Sequence, residues 1–199
     1  ACLSQKVVAP KNGAVVLLVP DTGKALLDLT AYYRDLFDIP YVGITGSVGK
    51  TTTKDMIASV LSQKYNTLWT DGNYNNEVGV PLTMFRIEDH HEAAVIEMGM
   101  NHFGELDRIA TAVRPHIGVI SNVGVAHIGF LGSREGILKA KCEMLDHLDK
   151  DGVAILNADN DMLQTLEGKL PQKIKWFGVE NKKDFYADEI EVVGLEQTK

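Results

Sequence analysis

From Tyr41 onward the chain alternates short apolar, β-branched runs with longer segments of helical spacing. Residues 41–45, 67–70, 93–98, 116–123, 153–157 and 174–177 read as strands, with 184–193 as one more candidate. The intervening segments 50–63, 80–87, 103–113, 133–148 and 161–167 read as helices. Strands joined through helices run parallel, because only a long crossover returns the chain to the same end of the sheet. The pattern therefore predicts an α/β fold, a mostly parallel sheet with helices on both faces. Ligand sites of such sheets lie beyond the carboxyl ends of the strands. Ahead of this region, residues 14–19 are apolar and β-rich. Residues 22–37 then carry Ala25, Leu26, Leu29, Tyr32, Tyr33 and Leu36 on one stripe, with Asp21 as the N-cap and Pro40 beyond the end.

The first strand runs into Thr45-Gly46-Ser47-Val48-Gly49-Lys50-Thr51-Thr52-Thr53-Lys54. Gly46 and Gly49 let the backbone approach an anion, and the N–H groups of a helix N-terminus point at it. Lys50 adds a charge for outer phosphates, and the Thr51 hydroxyl can reach a bound Mg²⁺. The loop is shorter than the usual Walker spacing, since Ile44 stands where that pattern has its first glycine. A plain glycine turn capping a helix leaves the coincidence of glycines, lysine and threonines without a reason.

Two further strand ends carry polar groups. Residues 93–98 form a buried-strand pattern with Glu97 at its carboxyl end, suited to holding Mg²⁺ directly or through water. The alternative is a rim carboxylate paired with a lysine. His127 follows the apolar run 117–123. Alone it reads as a hydrogen-bonded structural residue; beside Glu97 and a phosphate loop it reads as a metal ligand. An imidazole in that shell favours a site that accepts Mn²⁺ as well as Mg²⁺. The loop 71–79 gathers Asn73, Asn75 and Asn76, suited to a sugar, a peptide or a nucleotide, although composition alone makes it a turn-rich connector. Ser133 is a good N-cap for the next helix. Lys139 and Lys141 on that helix are two apart and so face different ways.

Composition narrows the classes. A length of 199 residues suits one full domain and part of another. The formal charge of −7 argues against broad binding to nucleic acid. Two cysteines, Cys2 and Cys142, are too few for a disulfide scaffold and fit reduced cytosolic thiols. No apolar run reaches membrane-spanning length and no leader pattern is present, so a cytoplasmic protein without membrane insertion is expected.

Taken together, residues 45–55, 72–83, 96–100, 122–127, 131–137, 139–141 and 156–159 resemble the Mur ligases, ATP-dependent amide ligases of peptidoglycan precursor synthesis. The likeness spans residues 41 to about 165 and is strongest to the branch that adds D-alanyl-D-alanine. It implies that Gly46, Ser47, Val48, Gly49, Lys50, Thr51 and Thr52 cradle ATP phosphates. It implies that Thr51 and Glu97 hold Mg²⁺, and that Glu97 and His127 place a second metal. Lys141 aligns with the family lysine that CO₂ converts to a carbamate, so Lys50, Glu97, His127 and Lys141 form the implied catalytic set. Asn73, Asn75 and Asn76, with Ser133 and Arg134, fall on the substrate side. The substrates implied are UDP-N-acetylmuramoyl-tripeptide and D-alanyl-D-alanine, joined through an acyl phosphate. Val48 departs from the asparagine common among relatives, which loses a side-chain contact and keeps the backbone cradle. The likeness also implies a piece of a larger enzyme. Residues 1–39 resemble the end of an N-terminal substrate-binding domain, and residues 40–199 the central ATP-binding domain short of its end. By the same likeness a C-terminal domain is expected to be absent from these residues, and the isolated chain is expected to be inactive. Folylpolyglutamate synthase, with a similar core, and a non-catalytic ATP-binding piece are the rival expectations.

Overall fold

A computed structural model describes residues 1–10 and 12–191. Two short strands, β1 (Cys2–Ser4) and β2 (Val16–Leu18), pair in parallel apart from the main sheet. Helix α1 (Thr22–Arg34) follows, and the Asp21 side chain caps it by accepting from Lys24 N–H. The chain then alternates β3 (Tyr41–Thr45), α2 (Lys50–Leu61), β4 (Thr67–Trp69), α3 (Gly79–Met84), β5 (Ala93–Glu97), α4 (Glu105–Val113) and β6 (Ile117–Ile120). After these come α5 (Ile128–Leu131), α6 (Arg134–Cys142), a 3₁₀ turn (Leu145–His147), β7 (Val153–Asn157), α7 (Asp161–Gln164), β8 (Lys173–Gly178) and β9 (Phe185–Tyr186).

Among the described residues the main sheet has seven strands in the order β4-β5-β3-β6-β7-β8-β9, and every ladder is parallel. The sequence pattern, a mostly parallel sheet, is thus realised as a wholly parallel one. The order reverses at β3, whose neighbours are β5 on one side and β6 on the other. A crevice opens at such a reversal, above the carboxyl ends of the strands.

Alternation along the strands explains the layers. Val42, Ile44, Val95 and Val119 bury against Ala58, Ile57 and Leu61 of α2. Tyr41, Ala94, Ile96 and Ile120 face the other way, into a larger core with Met84, Leu106, Ile109 and Ile137 from α3, α4 and α6. Strands buried on both faces lose the polar alternation of a half-exposed sheet and read as continuous apolar runs. Helix α1 docks on the second layer. Tyr33 Oη donates to Ile87 O at 2.8 Å, and the Arg34 guanidinium donates to Val113 O and Arg114 O at 3.2 Å each.

Element ends depart most from the sequence reading in three places. The segment 133–148 is not one helix: α6 stops at Cys142 and a 3₁₀ turn follows, because Glu143 turns its carboxylate to the N-terminus of α4, accepting from Gly104 N–H at 2.9 Å and Asp107 N–H at 3.2 Å. The strand of 116–123 ends at Ile120, and the next residues leave the ladder for the phosphate loop. The candidate strand 184–193 contracts to Phe185–Tyr186, and its residues 192–193 lie outside the described residues. Both cysteines are free. No helix among the described residues is long and apolar enough to cross a membrane.

Candidate functional site

The phosphate loop occupies the reversal point, between β3 and α2. Gly46 leaves no room for a side chain while Ser121 keeps its place: a Cβ there would stand 1.9 Å from Ser121 Oγ. Gly49 is the N-cap of α2 at φ +75°, a left-handed conformation that costs glycine nothing. The loop is shaped from across the sheet. Asn122 Oδ1 accepts from both Ser47 N–H and Val48 N–H at 3.0 Å, and Ser121 Oγ donates to Val48 O at 2.8 Å. Ser47 Oγ in turn accepts from Gly124 N–H at 3.0 Å. The N–H groups of Ser47 and Val48 are therefore engaged by Asn122. The first helical bond runs from Thr53 N–H to Gly49 O, which leaves Lys50, Thr51 and Thr52 N–H as the helix's unpaired donors. Val48 itself is exposed. Lys50 Nζ folds back to donate to Gly46 O at 3.0 Å.

Beside the loop lies a cleft of about 470 Å³ lined by Gly46, Lys50, Asn75, Asn76, Glu105 and His127, among others. It brings together residues from four separate stretches of the chain. His127 enters α5 at φ +65°, uncommon for a side chain other than glycine. Such strained positions gather at functional sites. Its backbone carbonyl accepts from Phe130 and Leu131 N–H, while its ring has no hydrogen-bond partner among the described residues. Glu105 also faces the cleft. Burial pushes its carboxyl up, but donation from Asn101 N–H at 2.7 Å and the contact with His102 Nδ1 at 3.0 Å outweigh this and hold it below its ordinary value. Sequence reasoning passed over Glu105, whose place in a helix's first turn looks like ordinary capping chemistry. Asn122 likewise has no role legible in the sequence, because nothing local shows that it crosses to another strand's loop.

Glu97 lies at the end of β5, 1% exposed. Its Oε1 accepts from Asn75 Nδ2 at 2.7 Å, and its Oε2 has no partner. Thr45 Oγ1, at the end of the neighbouring β3, is also buried without a partner. Orphaned buried oxygens are expensive, and a cation or an ordered water resolves them. The donor set fits a hard cation bound by few protein oxygens. No three carboxylate, imidazole or thiol groups among the described residues converge on one point, and Mg²⁺ characteristically keeps several waters and substrate phosphates in its shell.

On α6, Lys139 is exposed and Lys141 only 2% exposed. Burial, and then the charge of Lys50, push the Lys141 amine down to about 7, with no carboxylate to offset them. The asparagines divide. Asn75 meets Glu97, whereas Asn76 Oδ1 accepts from Val78 and Gly79 N–H and so caps α3. Asn73 is exposed and contributes its carbonyl to Asn75 N–H. Ser133 caps α6 by accepting from Gly136 N–H. Arg134 pairs with Asp161 and donates to Val123 O. Neither of these two lines the cleft.

Comparison with known proteins agrees with this geometry. Residues 44–198 match the Mur ligase middle domain. A UDP-N-acetylmuramoyl-tripeptide--D-alanyl-D-alanine ligase from Synechocystis is 50% identical over 146 residues, 73% of this chain and 32% of the relative. The chain thus spans about a third of the length of that relative. A MurF crystal structure from Acinetobacter baumannii superposes with a TM-score of 0.87 at 39% identity, covering 96% of this chain and 42% of that one. MurF from Thermotoga maritima in complex with ADP gives a TM-score of 0.81 at 30% identity, covering 90% and 41%. The folylpolyglutamate synthase of L. casei, at 13% identity and a TM-score of 0.66, shares the fold alone. With its phosphate loop at the sheet reversal and three quarters of its length matched, the chain belongs to the Mur ligase family through that family's middle domain.

Proposed function

We propose that this chain is the ATP-handling part of an amide ligase that adds D-alanyl-D-alanine to UDP-N-acetylmuramoyl-tripeptide in peptidoglycan precursor synthesis. The observation that carries it is the meeting of Lys50, His127 and the asparagine loop in one cleft, next to a buried Glu97 with one unpartnered oxygen. Residues 40–199 belong to the ATP-binding domain in this reading, and residues 1–39 to the end of a substrate-binding domain, tied down through Tyr33 and Arg34.

In the first step a carboxylate oxygen of the tripeptide attacks the γ-phosphorus of ATP and ADP leaves, giving an acyl phosphate. In the second the D-alanyl-D-alanine amine attacks the acyl carbon, phosphate departs and the amine loses a proton. Gly49, Lys50, Thr51 and Thr52 hold phosphate oxygens through backbone N–H groups, and Ser47 and Val48 shape the turn at Gly46. Lys50 exchanges Gly46 O for the transferring phosphoryl group and stabilises its charge. Thr51, Glu97 and His127, with Lys141 as a carbamate, are the residues suited to hold Mg²⁺, or Mn²⁺ in its place. The metal would neutralise charge on the phosphates. An unprotonated Lys141 amine attacks CO₂, forms an N–C bond and releases a proton, which turns a buried cation into a carboxylate. Asn75 orients Glu97. Asn73 and Asn76 stand on the acceptor side of the cleft, and Ser133 and Arg134 are assigned to substrate by resemblance alone.

Calorimetry of Mg·ATP with this chain and its Lys50→Ala variant tests the nucleotide site, and equal affinities would count against it. The ligation is tested by grafting residues 41–191 in place of the matching segment of the Synechocystis relative. Formation of UDP-N-acetylmuramoyl-pentapeptide, followed by mass spectrometry, is expected, and its absence from a folded graft would leave a nucleotide-binding module without ligase chemistry.

A further inference from the structure

One buried lysine has no part in the chemistry above. Lys54 lies on α2, one turn past Lys50, and is 2% exposed. Its amine has three donors and three acceptors around it. Nζ donates to Thr70 O at 2.7 Å and to Gly72 O at 3.4 Å, and lies 3.0 Å from Asp55 Oδ1. Asp55 is more than half exposed and Gly72 is exposed too, so the carbonyl of the fully buried Thr70, just past the end of β4, is its dry partner. A hydrophobic residue would fill this space at lower desolvation cost, so a buried amine here needs a reason.

The reason lies in what Thr70 and the following loop touch. Thr70 Oγ1 accepts from Glu97 N–H at 3.0 Å. Three residues past Gly72, Asn75 Nδ2 holds Glu97 Oε1 at 2.7 Å, and Asn75 O accepts from Gly99 N–H at 2.7 Å. One continuous set of bonds therefore runs from the phosphate-loop helix, through Lys54, to both sides of Glu97. The loop 71–76 has no strand ladder to fix it, and Lys54 anchors its start.

We infer that Lys54 is a positioning residue, which sets the 70–75 segment against Glu97 and so fixes that carboxylate relative to the phosphate loop. This rests on the reading of Glu97 as a metal ligand, but its first test does not. In Lys54→Met the side-chain volume is kept and the donors are lost. Amide exchange at Glu97 and Gly99 is expected to quicken at least tenfold, with the amides of β6 unchanged. In the same variant ADP affinity without metal stays within threefold, because the loop is intact. Mn²⁺ affinity in the presence of ADP, read by electron paramagnetic resonance, falls at least fivefold. Thr70→Val removes only the hydroxyl that meets Glu97 N–H and is expected to reproduce the loss of Mn²⁺ affinity; it serves as the test if Lys54→Met does not fold. An amine with a merely structural role would lower the unfolding midpoint and leave both the local exchange pattern and Mn²⁺ affinity of the folded protein at wild-type values. That result, in Lys54→Met or in Thr70→Val, overturns the inference. A wild-type chain that binds ADP and no Mn²⁺ removes the metal reading instead, and the exchange measurement then decides on Lys54 by itself.

Discussion

Lys141 stands in the field of Lys50: burial first, and then that neighbouring charge, bring its amine down to about 7. In an unfolded chain a lysine titrates at about 10.4. Between these values the unfolded state holds a proton that the folded state has released, so stability rises with pH across this window. Below pH 7 the full penalty of burying the charge is present; above about 10.4 it is gone. Urea unfolding midpoints of wild type and Lys141→Met, in CO₂-free buffer at several values from pH 6 to 10, should diverge in slope. The variant should lack the rise, and parallel curves would show that Lys141 does not titrate in this range. Lys50→Met removes one of the two causes, so the lower edge of the window moves up.

The same lowered amine predicts reaction with CO₂. With ¹³C-bicarbonate at pH 8, a carbamate carbon resonance is expected in wild type and in Lys139→Met, and none in Lys141→Met. Lys139 is exposed, its amine 5.9 Å from the Phe103 ring centre, whereas Lys141 is buried. A resonance that disappears with Lys139 instead would assign the chemistry to the wrong face of α6.

Gly46→Ala puts a methyl group 1.9 Å from Ser121 Oγ and 3.2 Å from Ser121 Cβ. ADP affinity is expected to fall at least tenfold as the loop is pushed out of place. Ser121→Gly removes both offending atoms, so the double variant should recover part of that loss. No recovery would mean that the loop is displaced by something other than this contact.

Asn122→Ala removes the acceptor shared by Ser47 and Val48 N–H. Each lost hydrogen bond is worth about 1 kcal/mol, so the urea midpoint should correspond to a loss of about 1–2 kcal/mol. Nucleotide affinity should fall less than in Lys50→Ala, because Asn122 shapes the loop and does not carry its charge.

Glu97→Gln keeps a side chain that can still accept from Asn75 and replaces the charge that a cation would need. The folded variant should retain ADP binding in the absence of metal and lose at least tenfold in Mn²⁺ affinity. Unchanged Mn²⁺ affinity would mean that the unpartnered oxygen of Glu97 faces water only.

Much of this was readable from residue order, for a physical reason. Strand β3 is buried on both faces and β7 on one, with the other half-buried, so both stand out as apolar runs with the bounds the sequence suggested. Gly46, Gly49 and Lys50 are informative because their chemistry is local. What stayed hidden depends on partners far along the chain. Asn76 Oδ1 turns back to Val78 and Gly79 N–H while Asn75 reaches Glu97, a division that the order of asparagines in the loop does not show. Helix α6 ends at Cys142 because Glu143 is drawn to another helix, which no helical periodicity can show. Strand β1 is three residues long and mostly exposed at its start, too short for an alternation to declare itself.

The phosphate loop is contiguous in sequence, yet its shape is imposed from a distance. Asn122 grips it across 75 and 74 positions of chain. During synthesis at roughly 5–20 residues per second, the glycines and lysine of the loop emerge several seconds before the residue that holds them in place. Until then the segment has its composition and no fixed geometry. A peptide comprising residues 41–54 would carry the whole motif and none of the cross-strand restraint that makes it a binding site.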